Sequence, residues 1–280
     1  MIINGKLIAS RIEEKVAQAL REFPEPPTLA ILAVGMNPVI ASFVRIKKTV
    51  AERLKIPVVE RFFDETISME NLKAQIALLS GDTRISGIIV QLPLPSHVDT
   101  KEILDAIPVT KDVDMLSSAA VALFAKGEAT ILPPIAGAIQ EILEQENISV
   151  CGVDVLVLGH GRLVGRPASI FLRHNDATVT VIDQQVADLA VHTREAKLIV
   201  SGVGKSGLIT PAMISPGVVL IDAGTSEAGG KIIGDVDPAC ANVASVFTPV
   251  PGGVGPIAVA MIFKNLVMLA RVAEGGAPHV

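Results

Sequence analysis

The chain has no tryptophan and no tyrosine, and only eight phenylalanines among its 280 residues. Flat aromatic surfaces on which nucleobases stack are therefore scarce. Lysine and arginine, 24 in all, are outnumbered by 29 aspartates and glutamates, and no basic block occurs. On both counts nucleic acid is not an expected partner. Cysteine is nearly absent, with Cys151 and Cys240 the whole supply. Two isolated thiols suit buried, reduced side chains rather than a disulfide framework. The five histidines are widely scattered, so no metal site is expected. Uninterrupted hydrophobic runs are missing too, although mean hydropathy is high at +0.53. Residues 246–263 are uncharged but broken by prolines and glycines, which a single membrane-spanning helix does not accommodate. The opening Met1-Ile2-Ile3-Asn4-Gly5-Lys6 lacks the basic start and apolar core of a signal peptide. The expectation is a soluble, cytoplasmic enzyme without a membrane partner.

What the chain does have is alternating helix and strand patterns. Leu7, Ile8, Ile12, Val16, Ala19 and Leu20 form one helical stripe over residues 7–23, closed by Pro24. Residues 28–34 are a short, continuously apolar run, the mark of a strand covered on both faces. Asn37 reads as an N-cap with Pro38 at the first helical position, and the helix runs to about Lys55, before Pro57. A strand over 58–63, a helix over 68–80 and a strand over 86–91 complete a βαβαβ order, hence a parallel sheet. Residues 127–134 are irregular and 137–145 helical. A second block has strands over 153–158, 178–182, 198–201 and 218–221. Glycine and proline cluster over 249–256 before an apolar helix to about Arg271, and the tail 274–280 is loose. The fold class is α/β with two lobes. Residues 1–137 with the helix 256–272 form a substrate domain, residues 138–255 a Rossmann-type dinucleotide-binding domain, and a cleft lies between them.

The segment from Val155 to Pro167 is a strand, a glycine turn and a helix start. Gly159 permits the tight turn, Gly161 lets backbone amides approach a pyrophosphate, and the helix N-terminus adds partial positive charge. The pattern is G-x-G-x-x-x-G, one residue longer than the usual fingerprint, but it has the required strand before it and helix after it. Asp183 ends the next strand, where an acid accepts hydrogen bonds from the adenosine ribose and disfavours a 2′-phosphate. His160, beside the same region, opposes that preference when protonated. NAD and NADP both stay open, with a lean to NAD. In the first half Phe43 and Lys47 share one helix face, and a lysine among apolar residues has its pKa lowered if desolvated; the plain alternative is a snorkelling side chain. Gln91 closes an apolar strand. Asp112 and Asp114 follow Lys111, by themselves a solvated charged loop.

In this order the segments resemble the bifunctional methylenetetrahydrofolate dehydrogenase/cyclohydrolase family over nearly the whole chain. The resemblance rests on Gly87-Ile88-Ile89-Val90-Gln91-Leu92-Pro93-Leu94-Pro95, on Lys111-Asp112-Val113-Asp114, and on Thr248-Pro249-Val250-Pro251-Gly252-Gly253-Val254-Gly255-Pro256. It implies a homodimeric enzyme of one-carbon metabolism that oxidises 5,10-methylenetetrahydrofolate with NADP or NAD, then hydrolyses the methenyl product to 10-formyltetrahydrofolate. By resemblance Lys47 is the acid–base group of the hydrolysis, Gln91 its partner and Asp114 the pterin anchor. Phe43, Pro251, Gly252 and Gly253 contact the folate, and Gly159, His160, Gly161, Asp183 and Thr225 the dinucleotide. No metal takes part.

The chain is a divergent member. Phe43 stands where the family has tyrosine, Met115 where it has glycine and is thereby expected to crowd the pterin pocket, Gly161 where it has serine, and Ala258 where it has threonine. Leu132-Pro133-Pro134-Ile135-Ala136-Gly137 replaces a Pro-Cys-Thr-Pro-x-Gly motif, and Asp183-Gln184-Gln185 replaces a His-Ser-Arg set. Two alternatives follow: a dehydrogenase-only enzyme on this or a related folate-like substrate, and a catalytically silent dinucleotide-binding homologue with a partner or regulatory role.

Overall fold

The structure is a computed structural model that describes residues 1–35, 37–183, 186–228 and 231–277. The chain divides into two compact units. The first comprises Arg11–Pro133 and Val259–Val280, the second Met1–Ser10 and Pro134–Ala258. The expected α/β class with parallel sheets holds in both.

In the first unit, helix α1 (Gly5–Ala19, shared with the second unit) leads to strand β1 (Thr28–Val34). Helix α2 (Pro38–Leu54), strand β2 (Val58–Phe63), helix α3 (Met69–Gly81) and strand β3 (Ile85–Val90) follow. The sheet order is β2-β1-β3, all parallel. Every residue of β1 from Leu29 to Val34 is buried, as its unbroken apolar run requires of a central strand. Asn37 caps α2 by accepting from the Ile40 amide at 2.9 Å, and Pro38 sits in the first turn, where no amide is needed. Lys55 ends the helix in the left-handed conformation. Leu32, Leu72, Ile76, Ile88 and Ile103 pack one core cluster. Two short helices that no sequence pattern announced, α4 (Thr100–Asp105) and α5 (Ser118–Lys126), close this half.

Helix α6 (Pro134–Gln145) opens the main part of the second unit. It is followed by β4 (Asp154–Leu158), α7 (Gly165–His174), β5 (Thr178–Ile182), α8 (Leu189–Glu195), β6 (Leu198–Ser201) and β7 (Val219–Asp222). A small antiparallel pair, β8 (Ser226–Ala228) and β9 (Lys231–Ile233), precedes the two-residue strand β10 (Val246–Phe247). The main sheet is parallel, in the order β10-β7-β6-β4-β5, so the strand order reverses at β4. Residues 1–10 group with the second unit. The reason is edge pairing, because the Ile3 amide donates to Phe247 O at 2.8 Å and the Phe247 amide to Met1 O at 2.9 Å. The sequence boundaries at 137/138 and 255/256 differ from the observed ones by a few residues.

Helix α9 (Val254–Ala273) is the one helix, among the described residues, long and apolar enough to cross a membrane. It behaves as a core helix instead: Phe263, Leu266 and Val267 are fully buried. Asn265, buried on the same helix, donates from Nδ2 to Val113 O at 2.9 Å and Leu132 O at 2.8 Å. Both carbonyls lie in irregular segments that no strand satisfies. Replacing Asn265 with alanine is expected to cost about 2–3 kcal/mol, two hydrogen bonds plus the stranded carbonyls. Urea unfolding should show this as a lower midpoint at unchanged slope.

Candidate active site

Lys47 lies on the buried face of α2, one turn after the half-buried Phe43. Its Nζ donates to Gln91 Oε1 at 2.8 Å, and Gln91 Nε2 donates to Leu92 O at 2.8 Å. The second bond fixes which amide atom faces the lysine, so an acceptor is presented to the ammonium. Gln91 stands just past β3, and its own amide donates to Leu32 O at 2.8 Å, which continues the β1–β3 ladder. Lys47 is thus buried rather than snorkelling, and burial lowers its pKa, with the charge of Asp114 pulling it back up. Asp114 shows the mirror effect. Burial raises its pKa to about 6, Lys47 lowers it and Asp112 raises it further.

The loop that carries Asp114 is held from three sides. Asp112 pairs with Ile88 of β3 in an isolated parallel bridge. Its carboxylate turns back to accept from the Leu116 and Ser117 amides at 3.3 and 2.8 Å. Gly87 leaves room for Val113 and Leu266, since a Cβ there would meet each at 2.6 Å. Asn265 takes the Val113 carbonyl. Read from sequence as a solvated charged loop, Lys111-Asp112-Val113-Asp114 is nothing of the kind: Asp112 is buried, and Lys111 Nζ donates to Ser80 O and Asp82 O, both at 2.8 Å. Asp112 and Asn265 are the residues that sequence reasoning missed. The aspartate was visible in the motif, but nothing local marked the asparagine.

Met115 has φ +58, a backbone conformation that suits glycine better than a long side chain. Its buried side chain lines an apolar cavity of about 210 Å³ with Val109, Leu123, Ile131 and Leu269. Phe43, Lys47, Gln91 and Asp114 do not line that cavity. The cysteines also depart from expectation. Both are free, but only Cys240 is buried; Cys151 is exposed.

The dinucleotide motif occupies the carboxyl ends of β4 and β5. Gly159 has φ +92, and its amide donates to Ile182 O at 2.9 Å, which brings it level with the exposed Asp183. Gly165 opens α7 so close to that turn that a Cβ would lie 1.9 Å from Gly159 O, so only glycine fits. Gly161 and His160 are exposed, and Val164 gives the helix N-terminus no side-chain cap. A glycine cradle open to solvent before an uncapped helix start fits a pyrophosphate. Thr225 is exposed after β7. Pro251, Gly252 and Gly253 lie in the second unit, where Gly252 O accepts from the Gly5 amide at 2.9 Å. Lys47, Gln91 and Asp114 are gathered in the first. Gln184 and Gln185 lie outside the described residues.

The Lys47 titration reads this site directly. Asp114→Asn removes the charge that favours the ammonium, so Lys47 should titrate at lower pH. Gln91→Glu adds such a charge and should move the titration to higher pH. Carbon-13 shifts of the lysine Cε against pH report both, and shifts of the same sign would contradict the geometry.

Two family models match the chain: the tetrahydrofolate dehydrogenase/cyclohydrolase catalytic domain over residues 3–114, and the NAD(P)-binding domain of the same family over residues 133–274. The bifunctional protein FolD of Aromatoleum aromaticum is 37% identical over 283 residues, covering 98% of both chains. Among solved structures, the bifunctional FolD methylenetetrahydrofolate dehydrogenase/cyclohydrolase of Campylobacter jejuni superposes with a TM-score of 0.94. It is 33% identical, over 98% of this chain and 99% of that one. The Trypanosoma brucei enzyme, determined with NADP and an inhibitor, gives a TM-score of 0.93 at 30% identity, over 98% of each chain. With likeness of this extent in sequence and in both kinds of domain, the chain belongs to the tetrahydrofolate dehydrogenase/cyclohydrolase family.

Proposed function

We propose that the protein oxidises 5,10-methylenetetrahydrofolate to the methenyl cation with a nicotinamide dinucleotide and then hydrolyses that cation to 10-formyltetrahydrofolate. The observation that carries the reading is the buried Lys47–Gln91 pair with Asp114 close enough to perturb it. A lysine whose pKa is lowered gives up its proton more readily, and its amine form takes a proton from the water attacking the methenyl carbon. Gln91 accepts from the protonated form, so the same side chain returns the proton later without leaving its place. Asp114 presents a carboxylate to the paired donors of the pterin's aminopyrimidine ring. Phe43 offers a ring face and no hydroxyl, and the family resemblance assigns Pro251, Gly252 and Gly253 to folate contact. When bound, the dinucleotide supplies the hydride acceptor. Gly159, His160 and Gly161 would hold its pyrophosphate, and Thr225 is a further contact to it.

Asp183 supports NAD over NADP, since an exposed carboxylate at the end of β5 repels a ribose 2′-phosphate. We place the enzyme in the cytoplasm, as a homodimer. The missing hydroxyl at Phe43 favours one rival, an enzyme that keeps the dehydrogenase and loses the hydrolase.

Two assays decide. Purified protein given 5,10-methylenetetrahydrofolate is expected to reduce NAD or NADP, and methenyltetrahydrofolate alone should lose its absorbance faster than in buffer. Lys47→Met should slow the hydrolysis about a hundredfold or more while dinucleotide affinity stays within a factor of two. No reduction with either cofactor would sink the proposal; reduction without hydrolysis would select the dehydrogenase-only enzyme. For cofactor choice, Asp183→Ser is expected to raise the kcat/KM ratio of NADP to NAD about tenfold, a change of about 1.4 kcal/mol. An unchanged ratio would remove Asp183 from the ribose site.

A further inference from the structure

Two carboxylates are buried in the second unit outside the residues discussed so far. Asp222 ends β7 and Asp235 follows β9; they are 1% and 0% exposed. Among the described residues, no lysine or arginine bonds either side chain. Asp235 Oδ2 accepts from Ser201 Oγ and the Val203 amide, both at 2.7 Å, and Oδ1 accepts from the Lys205 amide at 2.7 Å. Asp222 Oδ1 accepts from the Gly224 amide at 2.9 Å and the Asp235 amide at 3.2 Å, and Oδ2 from the Val236 amide at 2.9 Å. The two are interlocked: one carboxylate holds the backbone of the other. Glycines make the insertion possible. A Cβ on Gly224 would lie 2.1 Å from Asp235 Cγ, and one on Gly234 would lie 2.0 Å from Asp222 Oδ2.

We propose that Asp235, locked to Asp222, is a positioning residue for the dinucleotide, tying down from below the turn after β6 and the turn after β7 that carries Thr225. This rests on the dinucleotide reading of the glycine cradle. The turn after β6 stands at the reversal of strand order, next to β4, where open parallel sheets place their ligands. It touches the cradle directly: Gly202 makes room for Val164, whose Cγ1 would lie 2.2 Å from a Cβ there. A Cβ on Gly159 would lie 3.3 Å from Gly202 O. It also meets the second turn, since a Cβ on Gly204 would lie 3.4 Å from Thr225 O. Asp235 holds the amides of Val203 and Lys205, the residues on either side of Gly204, which is exposed with φ +76, and Gly204 and Thr225 therefore present a set surface to solvent. A carboxylate suits this task because its acceptors number more than one side-chain amide provides. Burial raises the Asp222 carboxyl to about 6 despite its amide bonds, so the pair carries a standing cost.

The test uses the whole protein and two probes, NADH and NADPH, titrated through their own fluorescence, with amide hydrogen exchange alongside. Asp235→Asn turns one acceptor into a donor that faces another N–H. Dissociation constants are expected to rise at least tenfold, with exchange accelerated over residues 202–206 and 223–226 while β6 and β7 stay protected. Ser201→Ala removes one donor and keeps the carboxylate; a rise of about twofold to fivefold is expected. Unchanged affinity in Asp235→Asn, or protection lost across the whole sheet, would overturn the assignment. Should Asp235→Asn fail to fold, unchanged affinity in Ser201→Ala would do so. Wild-type protein that binds neither probe would instead defeat the dinucleotide reading beneath it.

Discussion

A primary ammonium held out of water is the constraint around which the first unit is organised. Desolvation disfavours the charged form of Lys47, and two neighbours work against that penalty. Gln91 supplies a neutral acceptor, and Asp114 a charge that suffers desolvation itself. Were the carboxylate in direct contact with the lysine, the pair would approach an ordinary ion pair, and the lysine's pKa would be pulled back up more strongly. Were it absent, desolvation would meet no opposing charge and the lysine's pKa would fall further. A carboxamide in contact and a carboxylate in the background leave the lysine's pKa lowered but opposed, the direction that acid–base chemistry needs.

Such an arrangement is stable only if the backbone around it cannot relax. The Asp114 loop is gripped by the Asp112 carboxylate, by Asn265 from α9 and by Val113 packed over Gly87. That grip also accounts for Met115, a bulky residue kept at positive φ. Conformations of this kind cost of order 1–3 kcal/mol and persist only where the surroundings over-determine them. Here part of the compensation is visible, because the side chain is buried.

What was legible in the sequence was whatever depended on near neighbours. The apolar run of β1 told its burial on both faces, and Asn37-Pro38 told where α2 begins. The glycine turn after β4 told its own shape, and the resemblance named Lys47, Gln91 and Asp114. Long-range partnerships were not legible. Asn265 sits in an apolar helix and reads as an interruption until Val113, 152 residues earlier, comes to meet it. Lys111 and Asp112 look solvated because charge suggests exposure; only the fold supplies the carbonyls and amides that let them be buried. The pairing of the N-terminal residues with β10 is of the same kind, since a two-residue strand does not announce its partner.

The two units then solve one problem in different ways. Each buries carboxylates, which is costly unless hydrogen bonds replace the lost water. In the second unit the replacement is generous: Asp222 and Asp235 together accept from five backbone amides and a hydroxyl. Those acids are saturated, and saturated acids hold backbone. In the first unit Asp112 is satisfied in the same manner, by amides of its own loop. Asp114, two residues on, has its pKa shifted by burial and by charges rather than by amide bonds. That difference separates a framework acid from a working one: a carboxylate whose acceptor positions are already filled by backbone has little left to offer a substrate.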